Sequence, residues 1–212
     1  MSERQSESRQ DQPFPEEMDT QELLMEAAVR VLEEEGMSGL TLRNVAAKAD
    51  KNRGLLHYYF ESKHDLLVSL LDHILEGTER LIGIDETDKP TAQLSTALRF
   101  HAYGPGGLDE AGRHYYSAIL QLQALAVNDP AIRERFARNH QFVVDLIAEI
   151  IEDGISEGDF REVNAHELAI YFATLTDGAR HYDLATGGTE ARQIALDQVD
   201  RIVDEQLKRV GP

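Results

Sequence analysis

Apolar residues recur along most of this chain three and four positions apart, which is the spacing of the buried face of an α-helix. The first such segment follows Asp19 and Glu22, a pair typical of a helix start, and ends near Gly36 and Gly39. No segment shows the sustained two-residue alternation of a half-buried strand. The pattern therefore predicts an all-α fold with about nine helices.

Two short helices joined by a tight turn are expected after the first helix. Thr41 is a typical N-cap for the first of them, and residues 50–52 have the composition of a turn. The second runs from Arg53 to Phe60, with Leu56 one turn before Phe60 on its buried side. Its opposite side, which is expected to stay exposed, carries Arg53, His57 and Tyr58.

Six longer helices complete the predicted fold. Residues that favour the first turn of a helix mark where they begin: Ser62, Pro90, Asp109, Asp129 with Pro130, Asn164 and Thr189. For the last five of these helices, the expected ends lie near Tyr103, Val127, Ile155, Thr186 and Val210. The run Gly104-Pro105-Gly106-Gly107 separates the second long helix from the third.

The composition supports a folded protein. Of its 212 residues 42% are hydrophobic, and only the polar residues 1–17 are predicted to form a disordered tail. No segment approaches the roughly 18 apolar residues of a membrane span or resembles a signal peptide, so a soluble cytoplasmic protein is expected. The lack of cysteine excludes disulfides, thiol catalysis, iron–sulfur clusters and Cys-ligated zinc.

Charge is distributed unevenly along this acidic chain. It has 21 Lys and Arg against 39 Asp and Glu, a net charge of −18. Residues 41–65 hold five basic residues against three acidic ones, which gives +2 there and −20 elsewhere. A positive segment that coincides with two short helices across a turn is typical of a helix-turn-helix whose second helix enters the DNA major groove.

Long motifs in and around this segment resemble the TetR/AcrR family of transcriptional regulators. The resemblance covers about residues 18–78 and rests on four stretches: Ala27-Ala28 with Gly36, Thr41-Leu42-Arg43-Asn44-Val45-Ala46, Gly54-Leu55-Leu56-His57-Tyr58-Tyr59-Phe60, and Ser62-Lys63. A weaker likeness to the family's second domain follows at Asp129-Pro130, Glu157-Gly158-Asp159-Phe160-Arg161 and Thr176-Asp177-Gly178-Ala179.

The resemblance implies a division of labour along the chain. Residues 18–66 would form a DNA-binding domain, with the helix-turn-helix at about 41–60, and residues 67–212 a ligand-binding and dimerisation domain. The implied function is that of a ligand-responsive regulator, most often a repressor. As a homodimer it would bind a double-stranded operator of two-fold symmetry and be released by a small molecule. The implied protein is not an enzyme and needs no metal or cofactor.

Matching positions to the family motif implies a set of DNA contacts. Arg53 is the candidate for reading guanine, because a guanidinium can bond O6 and N7 together. Lys63 would hold backbone phosphate at a helix N-terminus. The full set of implied contacts is Thr41, Arg43, Asn52, Arg53, Gly54, His57, Tyr58 and Lys63. Two positions depart from the family pattern: Lys51 stands in place of a small apolar residue and Leu55 in place of a small hydroxyl residue.

A ligand pocket and a dimer interface are expected among the later helices. Candidate pocket residues combine apolar walls with polar tips: Phe100, Tyr103, Tyr116, Ile119, Gln123, Phe142, Tyr171 and Thr174. Among them Tyr116, Gln123 and Thr174 are favoured, because polar tips on inward faces need partners. The apolar residues of the last two helices that suggest packing against a second copy are Leu168, Phe172, Leu175, Ile194, Val199, Ile202 and Leu207.

Two other functional classes compete with this interpretation. A helical sensor or adaptor with an inactive DNA-binding face would act through protein contacts, and a gel shift with the protein's own upstream DNA discriminates it. A helical metalloenzyme would use Glu61 and His64, but such di-iron sites need two Glu-x-x-His motifs plus two further glutamates, and the chain has one motif.

The acid excess and the small number of lysines, five against sixteen arginines, are typical of proteins adapted to a very salty cytoplasm. Counterion release contributes little to DNA affinity at high salt, so binding there must depend on direct contacts and fit. The hypothesis predicts a shallow dependence of operator affinity on salt, with a slope less steep than about −6 on logarithmic axes.

Overall fold

The computed structural model describes residues 19–81, 83–85, 87–104 and 110–208. Within these ranges the chain forms nine α-helices and no strand, which confirms the predicted all-α fold. The predicted tail, the glycines at 106 and 107, the predicted start at Asp109 and the predicted end at Val210 lie outside them. The helices are α1 Thr20–Gly39, α2 Leu42–Lys48, α3 Arg53–Tyr59, α4 Lys63–Leu81, α5 Pro90–Tyr103, α6 Glu110–Ala126, α7 Pro130–Glu157, α8 Ala165–Thr186 and α9 Glu190–Ile202.

Side-chain oxygens cap the N-termini of most of these helices. Asp19 accepts from the backbone N–H of Gln21 at 2.6 Å, and Thr41 Oγ1 accepts from Asn44 N–H at 3.1 Å. Each cap satisfies a backbone donor that has no partner within its own helix. The capping residues are Asp19, Thr41, Asn52, Ser62, Asp129 and Asn164. Thr189, the predicted start of α9, makes no such bond.

The chain divides between His73 and Ile74 into two compact units. In the first unit α2 packs against α1 and α3 around buried leucines, valines and Phe60. Gly36 has φ 66° and interrupts the helical geometry of α1 three residues before its end at Gly39. This interruption lies where the sequence predicted the helix to end. The predicted boundary at 66/67 falls earlier than the observed one, because α4 still contacts α1 at His73, whose Nε2 lies 3.4 Å from Glu26 Oε1.

The second unit is built around α7, which packs against α5, α6 and α8, while α9 covers α8 and α5. Its core contains Phe160 and Phe172, both fully buried. After α9 the helix widens into a π-helical turn at Val203–Leu207. The N–H of Arg161 then donates to the carbonyl of Leu207 at 2.8 Å and ties this end to the loop after α7. No helix in the described ranges has the length and apolar content to cross a membrane.

Three residues predicted to face a second copy belong to this core. Phe172, Val199 and Leu207 are 0%, 3% and 1% exposed and pack inside their own unit, so their side chains offer little surface to a partner. Leu207 also lines a surface groove. Leu168, Leu175 and Ile202 are half-buried against the core, and Ile194 is exposed.

A buried ion pair joins α8 to the start of α9. Asp183 Oδ1 accepts from Ala191 N–H at 2.8 Å, and its Oδ2 accepts from the N–H and Nε of Arg192 at 3.1 and 2.9 Å. Asp183 therefore supplies the N-terminal hydrogen bonds of α9 that Thr189 does not make. Burial alone would raise the pKa of Asp183, but the hydrogen bonds from Arg192 and the two backbone N–H groups bring its pKa below the ordinary value.

Candidate nucleic-acid interface and ligand cavity

The short helix α3 is anchored on one side and open on the other. Asn52 Oδ1 accepts from Leu55 N–H at 2.9 Å and starts the helix. Leu56 and Phe60 are buried and hold it against the first unit, whereas Tyr58 is 82% exposed. The aromatic run 58–60 is therefore split, with Phe60 in the core and Tyr58 on the surface. The side predicted to face outwards is the exposed side.

Exposed hydrogen-bonding side chains follow one another along α3. Arg53 Nε donates to His57 Nε2 at 3.3 Å, one helical turn away. A guanidinium has five N–H donors, so four on its two terminal nitrogens remain for an outside acceptor. Tyr58 and Tyr59 make an edge-to-face ring contact, with centroids 5.3 Å apart. The geometry leaves Arg53 able to bond two acceptors side by side, as base recognition requires.

The N-terminus of α2 presents Thr41 and Arg43. Thr41 Oγ1 accepts the Asn44 N–H, so its hydroxyl hydrogen is the group left for an outside acceptor. Asn44 is held in place, because its Nδ2 donates to Glu35 Oε2 at 3.0 Å and to the carbonyl of Gly39 at 2.9 Å. Arg43 is exposed. The start of α2 is thus rigidly seated on the end of α1, with its donors outward.

The cations of the positive segment differ in how they are paired. Lys48 Nζ lies 2.5 Å from Glu34 Oε1 of α1 and is largely neutralised by it. In the described part of the chain the other four, Arg43, Lys51, Arg53 and Lys63, form no ion pair and are exposed. Four cations rather than five are therefore available to an anionic partner.

The turn between α2 and α3 closes without an apolar residue at position 51. Asp50 has φ 52°, a conformation that aspartate tolerates better than most residues. The N–H of Lys51 donates to the carbonyl of Ala46 at 2.9 Å while its side chain is exposed. Leu55 is half-buried at the first turn of α3. The departure at position 51 is therefore accommodated by the backbone of the turn.

The lone Glu-x-x-His motif lies at the exposed start of α4. The N–H of Glu61 donates to Asp65 Oδ2 at 3.0 Å, and Asp65 N–H donates to Ser62 Oγ at 3.1 Å, so the motif forms a helix cap. Across the described residues no three His, Asp or Glu side chains gather as they would around a metal ion.

A cavity of about 60 Å³ lies among the helices of the second unit. A single water molecule needs roughly 10–15 Å³ of such space. The cavity is therefore several times larger than one water site and suits a small organic molecule. Five of the predicted pocket residues are on its wall: Phe100, Tyr116, Ile119, Gln123 and Phe142. Gly104 has φ 61°, and a Cβ there would lie 1.8 Å from Tyr116 Oη, so only glycine lets the tyrosine close this end.

Three predicted pocket residues lie elsewhere, which corrects the prediction. The hydroxyl of Tyr103 donates to Gln193 Oε1 at 3.3 Å, and its ring lies 5.4 Å from the Arg192 guanidinium, so it packs towards α9. Tyr171 is 51% exposed beside an open surface groove, and Thr174 is also exposed. The polar wall residues that sequence reasoning missed are His101, Asn139, His140 and Arg180.

The polar end of the cavity is organised around Asp177, which is not itself on the wall. Arg180 donates through Nη2 to Asp177 Oδ1 and through Nη1 to the carbonyl of His101 at 3.2 Å. His101 Nε2 lies 3.6 Å from Asp177 Oδ1, and His140 Nδ1 lies 3.7 Å from its Oδ2. On its other side, His101 Nδ1 is 2.8 Å from Thr176 Oγ1. Asp177 therefore fixes Arg180 and lies close to both histidines.

Burial shifts the pKa values of two residues at the polar end of the cavity, His101 and Tyr116. It lowers the pKa of His101 to about 4, with Asp177 opposing the shift and Arg180 and His140 adding to it. Burial also raises the pKa of Tyr116, against the effect of the nearby Arg180. At neutral pH His101 is uncharged, and the polar end carries the charges of Arg180 and Asp177.

We expect His101 to make the second unit sensitive to mild acid. Its pKa in the unfolded chain, 6.5, exceeds its folded value of about 4. Between these two pH values the unfolded state binds more protons than the folded state. The free energy of unfolding therefore decreases as the pH is lowered, by up to about 3 kcal/mol. Urea unfolding between pH 7 and 4.5 should show this loss in the native chain and less of it in His101→Gln. The exposed-site control His166→Gln should follow the native chain, and identical profiles for native and His101→Gln would refute the assignment.

Two family models match the chain. Residues 24–70 match the model described as bacterial regulatory proteins, tetR family, and residues 105–208 match the model described as BetI-type transcriptional repressor, C-terminal. The first range contains the helix-turn-helix, and the second contains most of the cavity wall.

Similar proteins match over most of their length. The chain is 38% identical over 184 residues to the HTH-type transcriptional regulator BetI of Burkholderia thailandensis, covering 85% of this chain and 90% of the relative. It is 28% identical over 156 residues to the regulator CymR of Pseudomonas putida, covering 69% and 72%.

Solved structures share the architecture. A TetR transcription regulator from Haloarcula marismortui superposes with a TM-score of 0.80 at 30% identity, over 88% of this chain and 97% of that one. A regulator from Saccharomonospora viridis, solved in complex with choline, has a TM-score of 0.75 at 20% identity, over 89% and 97%. The second likeness concerns the fold alone.

Proposed function

Since the chain belongs to the TetR family of helix-turn-helix transcriptional regulators, we propose that it acts as a cytoplasmic homodimeric repressor. In this proposal it binds an operator of two-fold symmetry and releases it when a small molecule enters the cavity of the second unit. The chain has no catalytic role in this scheme.

The observation that carries the proposal is the exposed side of α3. Its buried side is held by Leu56 and Phe60, and its outward side bears Arg53, His57 and Tyr58. The 82% exposed ring of Tyr58 beside two hydrogen-bonding side chains forms a mixed surface that a partner can cover. Four unpaired cations around it match a polyanion in an otherwise acidic protein.

Each exposed donor is assigned a contact. Arg53 reads guanine through its two terminal nitrogens, and His57 and Tyr58 reach the groove further along α3. Asn52, which uses its oxygen to cap α3, has its amide N–H₂ left for phosphate. Gly54 permits close approach of the backbone. Thr41, Arg43 and Lys63 hold phosphates on either side and orient the helix in the groove.

The dimer is assigned to the outer sides of α8 and α9. Exposed apolar side chains there are Ile170, Tyr171, Tyr182 and Ile194. A surface groove adjoins them, lined by Val163, Asn164, Glu167, Leu168, Tyr171, Ile202 and Leu207. Such a surface is costly in water and is buried by the same surface of a second copy in a two-fold dimer.

Helix α4 supplies a route between ligand and DNA. It begins at Lys63, a proposed phosphate contact, and its residue Leu75 lies on the cavity wall. A ligand that shifts this helix would change the spacing of the two recognition helices, which must match one DNA turn, roughly 34–36 Å. A coupling free energy of about 1–3 kcal/mol is typical of such switches.

Fluorescence anisotropy with labelled duplexes from the region upstream of the gene tests the proposal. We expect one region to bind far more tightly than scrambled DNA of equal length and composition. Equal weak binding to all duplexes would instead support an adaptor that acts through protein contacts.

The salt dependence of this binding should be shallow and traceable to individual lysines. If the exposed Lys51 is also counted, with Arg43 and Lys63, as neutralising one phosphate in each subunit, the dimer neutralises six and the logarithmic slope is about −5. Lys63→Gln should make the slope shallower by about 2, because two contacts are lost. Lys48→Gln is the matched control and should leave the slope unchanged, since Glu34 already pairs with Lys48. A native slope of −6 or steeper, or equal effects of the two variants, would contradict this assignment.

A further inference from the structure

The wall of the cavity has no acidic residue among those the structure describes, although the whole chain is acidic. Acidic residues outnumber basic ones 39 to 21 in the sequence. Yet the described residues that line the cavity include Arg180, His101 and His140 and no Asp or Glu. Asp177 is not on the wall, and it pairs with Arg180. A ligand therefore meets hydrogen-bond donors at this end and no carboxylate on the described wall.

Asn139 adds a donor that has no partner. Its side-chain amide nitrogen is buried on the cavity wall and forms no hydrogen bond with any described residue. Buried amide groups are almost always paired, so this one calls for an acceptor that enters the cavity. Arg180 bonds Asp177 and the His101 carbonyl and also hydrogen-bonds the Tyr116 side chain, so two of its five N–H groups remain for an acceptor beside Asn139.

The aromatic surface of the cavity does not suit a cation. The guanidinium carbon of Arg180 already lies 4.9 Å from the centroid of the Tyr116 ring, over its face. A second cation would compete for that face and be repelled by Arg180. The other large wall residues, Phe100, Phe136 and Phe142, offer an apolar surface.

We infer that the cavity takes a small organic acid, with its carboxylate against Arg180 and Asn139 and its apolar body among Phe100, Phe136 and Phe142. The inference rests on the proposed function, in which a small molecule in this cavity governs DNA binding. A carboxylate matches a guanidinium and an amide donor in charge and in geometry. The apolar body matches the remaining wall, as in other largely apolar ligand sites.

Isothermal titration calorimetry on the full chain tests the ligand class with probes matched in size. Benzoate and hexanoate represent the acids, benzamide is the neutral isostere of benzoate, and benzyltrimethylammonium is the aromatic cation. We expect at least one acid to bind tenfold or more tightly than benzamide, and the cation to give no binding heat.

Two variants locate the carboxylate. Arg180→Gln should weaken binding of the acid at least tenfold, and Asn139→Leu should weaken it several-fold without removing a charge. Arg99→Gln is the matched control, because Arg99 lies on the surface of the same unit, paired with Asp200 at 3.4 Å, and away from the cavity wall. Circular dichroism checks that each variant folds, and Asn139→Leu carries the test if Arg180→Gln does not.

Binding of the cation, equal affinity for benzoate and benzamide, no binding of either acid, or unchanged acid affinity in the folded variants overturns the inference. None of these results bears on whether the protein binds its operator, which the anisotropy experiment measures separately. Tight operator binding with no response to any acid would leave the proposed DNA-binding function standing and remove this ligand class.

Discussion

Replacing Arg53 with alanine is expected to abolish discrimination between operator and unrelated DNA while leaving helical content and dimer formation unchanged. The side chain is exposed and its one hydrogen bond within the protein is to His57, so its loss leaves no buried gap. A bidentate contact to guanine contributes about 1–3 kcal/mol of discrimination, and a dimer makes two. Operator affinity should therefore fall between roughly 30-fold and more than a thousand-fold.

The measurement is anisotropy with operator and scrambled duplexes, with dimer formation followed by sedimentation. Arg99→Ala serves as the control, since it removes an exposed arginine far along the chain in the second unit. Retention of specific affinity by Arg53→Ala would exclude α3 as the base-reading helix as assigned here.

Replacing Asp183 with alanine is expected to destabilise the second unit by about 3–5 kcal/mol, since it leaves the buried Arg192 guanidinium without its partner. The change also removes the two backbone hydrogen bonds that start α9. Because the pKa of Asp183 is lowered on folding, its contribution is present above the ordinary value of 3.8 and is lost as pH falls below it.

Urea unfolding at one fixed protein concentration measures this effect. Asp200→Ala is the matched control, because Asp200 pairs with Arg99 where both side chains are about half exposed, and it should cost less than about 1 kcal/mol. The double variant Asp183→Leu with Arg192→Met should recover much of the lost stability. Equal losses for Asp183→Ala and Asp200→Ala would show that burial of the pair does not matter.

Local features of this fold were predictable because the interactions that cause them lie close together in sequence. Asp19, Thr41, Ser62, Asp129 and Asn164 each bond a backbone N–H two or three residues away, so a short motif contains the whole interaction. The division of α3 into a buried and an exposed side was also predictable, because it follows from the spacing of residues within one short helix. The assignment of its exposed residues to DNA remains a prediction.

Packing between distant helices was less predictable, because periodicity identifies an apolar side without showing what covers it. Phe172, Val199 and Leu207 have the spacing of an interface, but their own unit buries them. Tyr103 lies within the predicted α5, yet its partner Gln193 is ninety residues away. Such contacts follow only from the arrangement of helices in space.

The polar wall of the cavity was missed for a related reason. His101, Asn139 and Arg180 stand on amphipathic helices, where a polar residue is normally exposed to solvent. One local signal was available: His101 stands between Phe100 and Ala102, in a segment otherwise rich in core residues. Its partners Thr176 and Asp177 belong to a different helix, so the cluster itself could not be read from sequence.

Hydroxyl-radical footprinting of the native protein on its own upstream DNA tests the central claim most directly, because it reports both specific binding and its symmetry. The account predicts two protected patches related by two-fold symmetry, with centres about 10–10.5 base pairs apart or a multiple of that distance. Arg53→Ala should erase both patches. Uniform protection, a single patch, or no protection at protein concentrations that saturate non-specific binding would contradict it.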